Sequence, residues 1–390
     1  MKPILFALLA VGLASEPAWA QCGAVGTDLL VADLTSITVF SNSGGVVALM
    51  PGIALCNVGT TAGSWSASTS AHPVVAFTLL RHSVVGGVGR LEAIGQSWAH
   101  HQTSALQQGL CCTCTSGPPG VLGPGCSTVS SAAAVGMQAN LGLRADVDAL
   151  MGTLPWPLGN PPPASTADRR LQVAAADLAT PGARYFLESQ IVSGDDATSA
   201  NRANNASYRE VVVGPGPAFT YTGATVRGVP AIEAWPSVEA GVTVATTPVP
   251  GEGGLVRAAT ATTNLGDGFH AYEYALHTLD SEVGVRSFSV PIPLGVAVRS
   301  VSFRGPATHS GDPVSSAPWT VTVSGGRITW STAAFTIDPL ANALRWGTTF
   351  RFGFEASAPP ATGTLELARF RPGTPDTWTV TGRVPADIGG

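Results

Sequence analysis

The stretch WTVTVSGGRITWS, residues 319–331, decides the fold class. Apolar and polar residues alternate on both sides of Gly325-Gly326, and paired glycines supply the positive φ angles of a tight hairpin turn. In that register Trp319, Val321, Val323, Ile328 and Trp330 share one face. Thr320, Thr322, Ser324, Arg327, Thr329 and Ser331 share the other. Residues 344–355 alternate in the same way, with Leu344, Trp346, Phe350, Phe352 and Phe354 opposite Arg345, Arg351 and Glu355. Period-2 rows with one polar face belong to antiparallel sheets packed in pairs.

Outward from this hairpin, strands are expected at 72–80, 91–98, 184–192, 208–213, 255–265, 269–277, 286–293, 296–303, 363–370 and 377–384. Turn residues separate them at the spacing of sandwiches and barrels. One helix is expected, at 131–151, and its internal glycines weaken it. Residues 155–168, PWPLGNPPPASTAD, hold five prolines and read as a stiff linker. The chain is thereby divided into a β domain at 21–154 and a larger β region at 169–390, with a weaker break at 214–218 and another near 248–254. The expected fold is all-β: two antiparallel β-sandwich domains joined by a Pro-rich linker, or three if the second region splits near 248–254.

Composition narrows the function. Of 390 residues, 46 are Gly and 30 Pro, charged residues are 12% and hydrophobic ones 45%. Hydrophobic content at that level makes a globular chain. Lys2 is the only lysine, against 19 arginines, so beyond residue 2 neither Schiff-base chemistry nor a phosphate-loop lysine is available. A net charge of -5 without a basic cluster excludes nucleic acid as the partner. Met1-Lys2, the apolar run Ile4 to Ala14 and Ala18-Trp19-Ala20 have the three parts of an export signal, cut near Ala20. The apolar run is too short to span a bilayer, so no membrane insertion is expected. Gln21, before Cys22, does not suit a lipoprotein signal.

Cys22, Cys56, Cys111, Cys112, Cys114 and Cys126 form an even set in an exported chain, which reads as a disulfide framework. Neighbouring Cys111 and Cys112 should reach different partners. A zinc site on Cys111, Cys112 and Cys114 lacks the second thiolate pair that zinc prefers.

Several segments resemble a family of exported two-part β-rich proteins from environmental bacteria. They are CNVG (56–59), HPVVAFTLLR (72–81), GQSWAHH (95–101), LGPGCS (122–127), NNASYREV (204–211), YEYALHTLDSE (272–282), HSGDP (309–313) and NALRWGTTFRF (342–352). The resemblance covers most of the chain beyond the signal and implies a shared two-part architecture, with no assigned activity. The chain departs from that family at His100-His101, where one His is usual, and at Thr128, where an acidic residue often follows the last Cys-Ser.

The nucleophile elbow, the His-Glu-x-x-His zinc motif, the Walker loop and the dinucleotide fingerprint are all absent from the sequence. Among the seven histidines, His72 and His101 are the candidate copper ligands, because neutral imidazole suits copper and zinc. Adjacent His100 and His101 point to opposite faces of a strand, so only one can enter a given site. A second pair, His277 and His309, is the weaker metal candidate. Asp195, Asp196 and Asn201, in the polar loop 193–207, are candidate calcium ligands by their clustered oxygens. Glu273, Asp280, Glu282 and Asp312 are the carboxylates available for glycoside hydrolysis. Trp319, Trp330 and Trp346 read as core, leaving Trp65, Trp98, Trp156, Trp235 and Trp378 open for sugar stacking. The expected function is a secreted, non-catalytic surface or matrix protein that binds glycans or proteins. The alternatives are a copper oxidoreductase and a glycoside hydrolase.

Overall fold

A computed structural model describes residues 22–101, 104–138, 142–157, 164–216, 218–308 and 311–387. Residues 1–21, which hold the expected export signal, His309 and the central part of the Pro-rich stretch lie outside the described residues. The first twelve strands are β1 (Leu29–Ser43), β2 (Val46–Asn57), β3 (Gly63–Ser64), β4 (Val74–Val85), β5 (Val88–Gln96), β6 (His100–His101), β7 (Val121–Leu122), β8 (Ser127–Ser130), β9 (Leu171–Ala174), β10 (Arg184–Val192), β11 (Ala206–Gly214) and β12 (Ala218–Val226). Ten follow: β13 (Thr243–Pro248), β14 (Leu255–Asn264), β15 (His270–Thr278), β16 (Val285–Pro291), β17 (Val298–Arg304), β18 (Thr320–Ser324), β19 (Arg327–Ser331), β20 (Thr348–Ala356), β21 (Pro360–Arg369) and β22 (Thr377–Pro385). The architecture is mostly all-β and multi-domain.

The main path of the largest sheet runs β1-β2-β9-β5-β4-β10-β11-β12, with β6 on β4 and β8 on β2. It curls into a near-barrel. Its two ends meet at a seam closed by side chains: Ser207 Oγ donates to the Val31 carbonyl, and the Arg209 and Arg227 guanidiniums donate to the carbonyls of Leu34 and Ala32. Odd-numbered residues of β4 point inward, so Val75, Phe77 and Leu79 join Leu29, Val31, Leu49, Leu55, Leu187 and Ile191 in one core. Even-numbered ones point outward, where Leu80 packs with Leu91, Phe186 and Trp235 against Ala259, Ala261 and Ala275.

Those alanines belong to the middle layer, the sheet β13-β14-β15-β20-β17. Its other face carries Tyr272, Tyr274, Phe350, Phe352 and Phe354 and packs on the third sheet, β18-β19-β16-β21-β22, through Phe288, Trp330, Leu367 and Trp378. The strand β15 reads out this division residue by residue. Tyr272, Tyr274 and Leu276 face the sandwich, while Ala275 faces the barrel.

The hairpin at 319–331 has the expected turn, with Gly325 and Gly326 at φ 58° and 71°, and pairs Val321 with Trp330 and Val323 with Ile328. Its first strand sits at the sheet edge, so Val321 and Val323 overhang the core and stay exposed while Ile328 and Trp330 are buried. Trp346 departs from the row expected for 344–355. Gly347 turns the chain at φ 63°, and Trp346 packs with Val74, Ala76 and Val147 instead. Among the described residues of 131–151, the expected helix contracts to a short α-helix, Ala132–Gly136, capped by Ser131 Oγ accepting from the Ala134 amide, and a single 3-10 turn, Arg144–Asp146.

The sheets run across two of the expected boundaries. The proline stretch 155–168 does not separate sheets, because β9 to β12 on its far side complete the near-barrel begun by β1 to β5. β9 lies between β2 and β5, pairing Val47 with Val173 and Gly95 with Val173 on its two edges. The weaker break near 248–254 does not separate sheets either: β13 and β14 on its two sides are hydrogen-bonded neighbours.

Candidate functional site

The turn before β4 ends in His72-Pro73, and β6 pairs with the first residues of β4, Val74 opposite His101 and Val75 opposite His100. The strand alternation then sends the two neighbouring imidazoles apart. His100 goes inward, edge-on to Phe77 with ring centroids 6.0 Å apart, and its Nδ1 lies 3.0 Å from the Trp98 carbonyl. His101 goes outward and stacks on His72, with centroids 5.5 Å apart and Nδ1 atoms 3.4 Å apart. Trp65 meets the His72 ring edge-on, and Trp156 does the same to His101. Gln138 Nε2 donates to the His101 carbonyl. Met137 is exposed.

Burial disfavours charge on all three rings. It pushes His72 down to about 4, helped by the neighbouring His101, and His100 to about 3. His101 is lowered for the same reason. At neutral pH the outer pair is therefore uncharged, one ring nitrogen donating and the other accepting. Two ligands on one tetrahedral zinc- or copper-sized ion, with bonds of about 2.0–2.1 Å, would lie about 3.3 Å apart. The His72 and His101 nitrogens have that spacing. However, among the described residues no group of three His, Cys, Asp or Glu side chains is placed to hold a metal ion.

Beside the pair opens a pocket of about 750 Å³, lined by Trp65, Ala67, His72, Gln107 and the Pro118-Pro119 turn, with no charged side chain among the described residues of its wall. Its far wall is held firmly. Gln107 donates to the Val121 carbonyl and accepts from the amides of Gly117 and Gly123. Disulfides join Cys22 to Cys112, Cys56 to Cys111 and Cys114 to Cys126. Cys111 and Cys112 thus take different partners, and no cysteine is left free for zinc.

The other candidates have structural employment. Asp195 Oδ2 accepts from the Ser64 amide, Asp196 Oδ1 from the Leu29 amide, and Asn201 Nδ2 donates to the carbonyls of Val25 and Thr27. The loop proposed for calcium therefore clasps the entry to β1. Burial, with Asp28 nearby, raises Asp196 to about 7. His277 is fully buried, with Nδ1 3.1 Å from Thr349 Oγ1. Glu273 accepts from Arg351 and Arg90, Asp280 from Arg202 and the Leu255 amide, and Glu282 pairs with Arg371. Asp312 caps the Val314 amide. Trp65, Trp98, Trp235 and Trp378 are buried, so Trp156 is the one half-exposed tryptophan among the described residues.

Sequence reading passed over Arg144, which is fully enclosed and donates to the carbonyls of Ser97, Phe77 and Gly347. An arginine inside a Gly-rich segment carries no local sign that it will bridge two lobes. The partners of the His pair, Trp65 and Trp156, were equally invisible, since they arrive from loops far apart in sequence.

These features define a multi-domain all-β protein with three disulfides. No family model and no curated protein matches the chain. Among solved structures, the serine-rich repeat adhesion glycoprotein of Streptococcus agalactiae aligns over 91% of this chain and 97% of its own, at 9% identity and TM-score 0.21. The exo-chitosanase of Amycolatopsis orientalis aligns over 90% of this chain and 26% of its own, at 10% identity and TM-score 0.17. The chain thus spans about a quarter of the chitosanase's length. Scores at this level assign neither fold family nor chemistry. No helix among the described residues is long and apolar enough to cross a membrane.

Proposed function

We propose that the protein is a secreted, non-catalytic binding protein of the cell surface or matrix, and that the uncharged pocket beside His72 takes a glycan. The pocket carries this reading. It has the volume of a small-ligand site, roughly 300–1,000 Å³. It also combines the edge of Trp65 with imidazole, hydroxyl and backbone groups, a mixture suited to neutral hydroxyl-bearing ligands. Its walls are preorganised by the Cys114–Cys126 bridge and the Gln107 hydrogen bonds, which lowers the ordering cost of binding. Three disulfides without a free thiol support an oxidising compartment.

A glycan array compared between the native protein and Ala67→Trp tests it. Ala67 is exposed on the pocket wall, so the larger ring should fill the recess without disturbing the core. Retained glycans should be lost in the variant. No retained glycan on the array, together with no partner pulled down from the native envelope, would end the proposal.

A second reading takes His72 and His101 as two ligands of a copper ion, on the strength of their 3.4 Å nitrogen spacing. Elemental analysis of protein purified without a His-tag decides it. Stoichiometric copper, lost in His101→Ala, would support the site, and less than about a tenth of an equivalent would dismiss it. The carboxylates described above give the hydrolase form of the expectation no support, and no group of three metal-ligating side chains among the described residues supports the oxidoreductase form.

A further inference from the structure

A second recess lies at the other end of β4, about 36 Å along the strand at its usual rise of about 3.3 Å per residue. It occupies the seam between the near-barrel and the middle sheet, and its volume is about 610 Å³. The inward row of β4 changes character here. After Val75, Phe77 and Leu79 come Arg81 and Ser83, and β5 adds Arg90 and Glu92 across the ladder. From the facing layer come Arg304 of β17 and Arg351 of β20.

How Arg304 arrives is informative. β17 carries a register shift between Arg299 and Ser302, with Ser300 at φ 54°. After the shift Phe303 turns into the sandwich core against Trp319, Phe350 and Phe352. Arg304 is thereby turned toward the seam and stands directly opposite Arg351 in the ladder. Like charges at directly opposed positions of a sheet repel. Four guanidiniums line this recess, although the chain as a whole has a net charge of -5.

Three carboxylates answer them. Glu92 pairs with Arg81 and Arg304, Asp177 with Arg81 and Arg304, and Glu273 with Arg351 and Arg90. One positive charge is left over. The pairing also leaves donors unused. Arg81 is saturated by Glu92, Asp177 and Thr180. Arg351 gives Nε and one terminal nitrogen to Glu273, Arg304 gives Nε and one terminal nitrogen to Glu92 and Asp177, and Arg90 gives only Nε to Glu273. Nη1 of Arg304 and Arg351 and both terminal nitrogens of Arg90 have no acceptor among the described residues.

We propose that this recess binds an oxyanion, a carboxylate or sulfate, presented either as a free ion or on an acidic saccharide. The planar guanidinium fork matches such groups in two-point hydrogen bonds. An anion seated between Arg304, Arg351 and Arg90 would neutralise the excess charge and occupy the idle donors. The site is independent of the pocket beside His72.

The test is calorimetric titration of the whole protein with sodium sulfate, with dextran sulfate and with neutral dextran, against sodium chloride at matched ionic strength. Val85 and Ala307 are exposed on the rim, so Val85→Glu and Ala307→Glu place a tethered carboxylate beside the arginines without touching the core. Sulfate or dextran sulfate should bind the native protein and bind each variant at least about tenfold more weakly, the loss of one charge-assisted contact or more. Arg90→Gln should do the same with the thermal transition retained. Heat with inorganic sulfate assigns the site to a small ion, whereas heat with dextran sulfate alone assigns it to a saccharide-borne group. Equal affinity for neutral dextran, affinity unchanged in Ala307→Glu, or no heat with either sulfate probe would overturn the proposal.

Discussion

Trp330 shows how a single side chain carries the sandwich. It is fully buried, stacks on Phe288 and meets Phe352 edge-on, and its indole N–H donates to the Ser302 carbonyl. Trp330→Ala should cost about 3–5 kcal/mol in chemical denaturation. Thr322→Ala, on the exposed edge strand, should cost under about 0.5 kcal/mol. Ionisable residues add a pH dependence with two opposing parts. Burial raises Glu188 to about 7, against the pull of the Ala231 amide and Arg144. Its contribution to stability is therefore complete below its unfolded value of about 4.5 and is lost as pH rises through 7. His100 and His277 are pushed down to about 3 by burial. Theirs is present above about 6.5 and lost as pH falls toward 3. Glu188→Gln should accordingly be more stable than the native protein at pH 8 and lose that advantage by pH 5. Urea midpoints at the two pH values would check it, and an unchanged difference would mean that Glu188 titrates as an exposed acid.

Elements with clean alternation were legible, and those built on bulges were not. The strands expected at 184–192, 255–265, 269–277 and 377–384 match β10, β14, β15 and β22 within a residue or so. β1 and β2 escaped notice although they are the two longest neighbours in the near-barrel. Three register shifts between them, at Val31/Asp33, Leu34/Ser36 and Val39/Ser41, break the period of two, and Pro51-Gly52 interrupts β2. At the candidate site, the opposed directions of His100 and His101 follow from strand geometry alone. Their aromatic partners depend on tertiary contacts that no local pattern encodes. The disulfides tie Cys22 and the 111–126 loop to β2 and β8 through Cys56 and Cys126, so reduction should first release this loop. Hydrogen exchange after reduction should show lost protection at 104–128 and then across β9 to β12, because those strands share the sheet. Protection lost only before residue 154 would contradict that shared sheet.

At the scale of the whole molecule, three layers are stacked, and the middle one has unlike faces. Aromatic residues meet the outer sheet, and alanines with buried charges meet the barrel. Arg144 crosses between the layers, donating to Phe77 and Ser97 on one side and Gly347 on the other. The chain also contributes strands to the barrel wall both before and after the proline stretch. A protease site engineered into residues 158–163 and cut should therefore leave two fragments that co-elute in native gel filtration. They are held by β9 between β2 and β5. Fragments that part without denaturant would mean that the two halves fold separately.

The arginines have one more consequence. No lysine occurs among the described residues, and most of the arginines are engaged by carboxylates or carbonyls within or between the layers. A trypsin-like enzyme needs an extended, accessible basic residue, and proteolysis of a folded chain follows local opening. Such a protein would present a trypsin-like enzyme few places to cut, and its lifetime against one would be governed by how seldom its layers come apart.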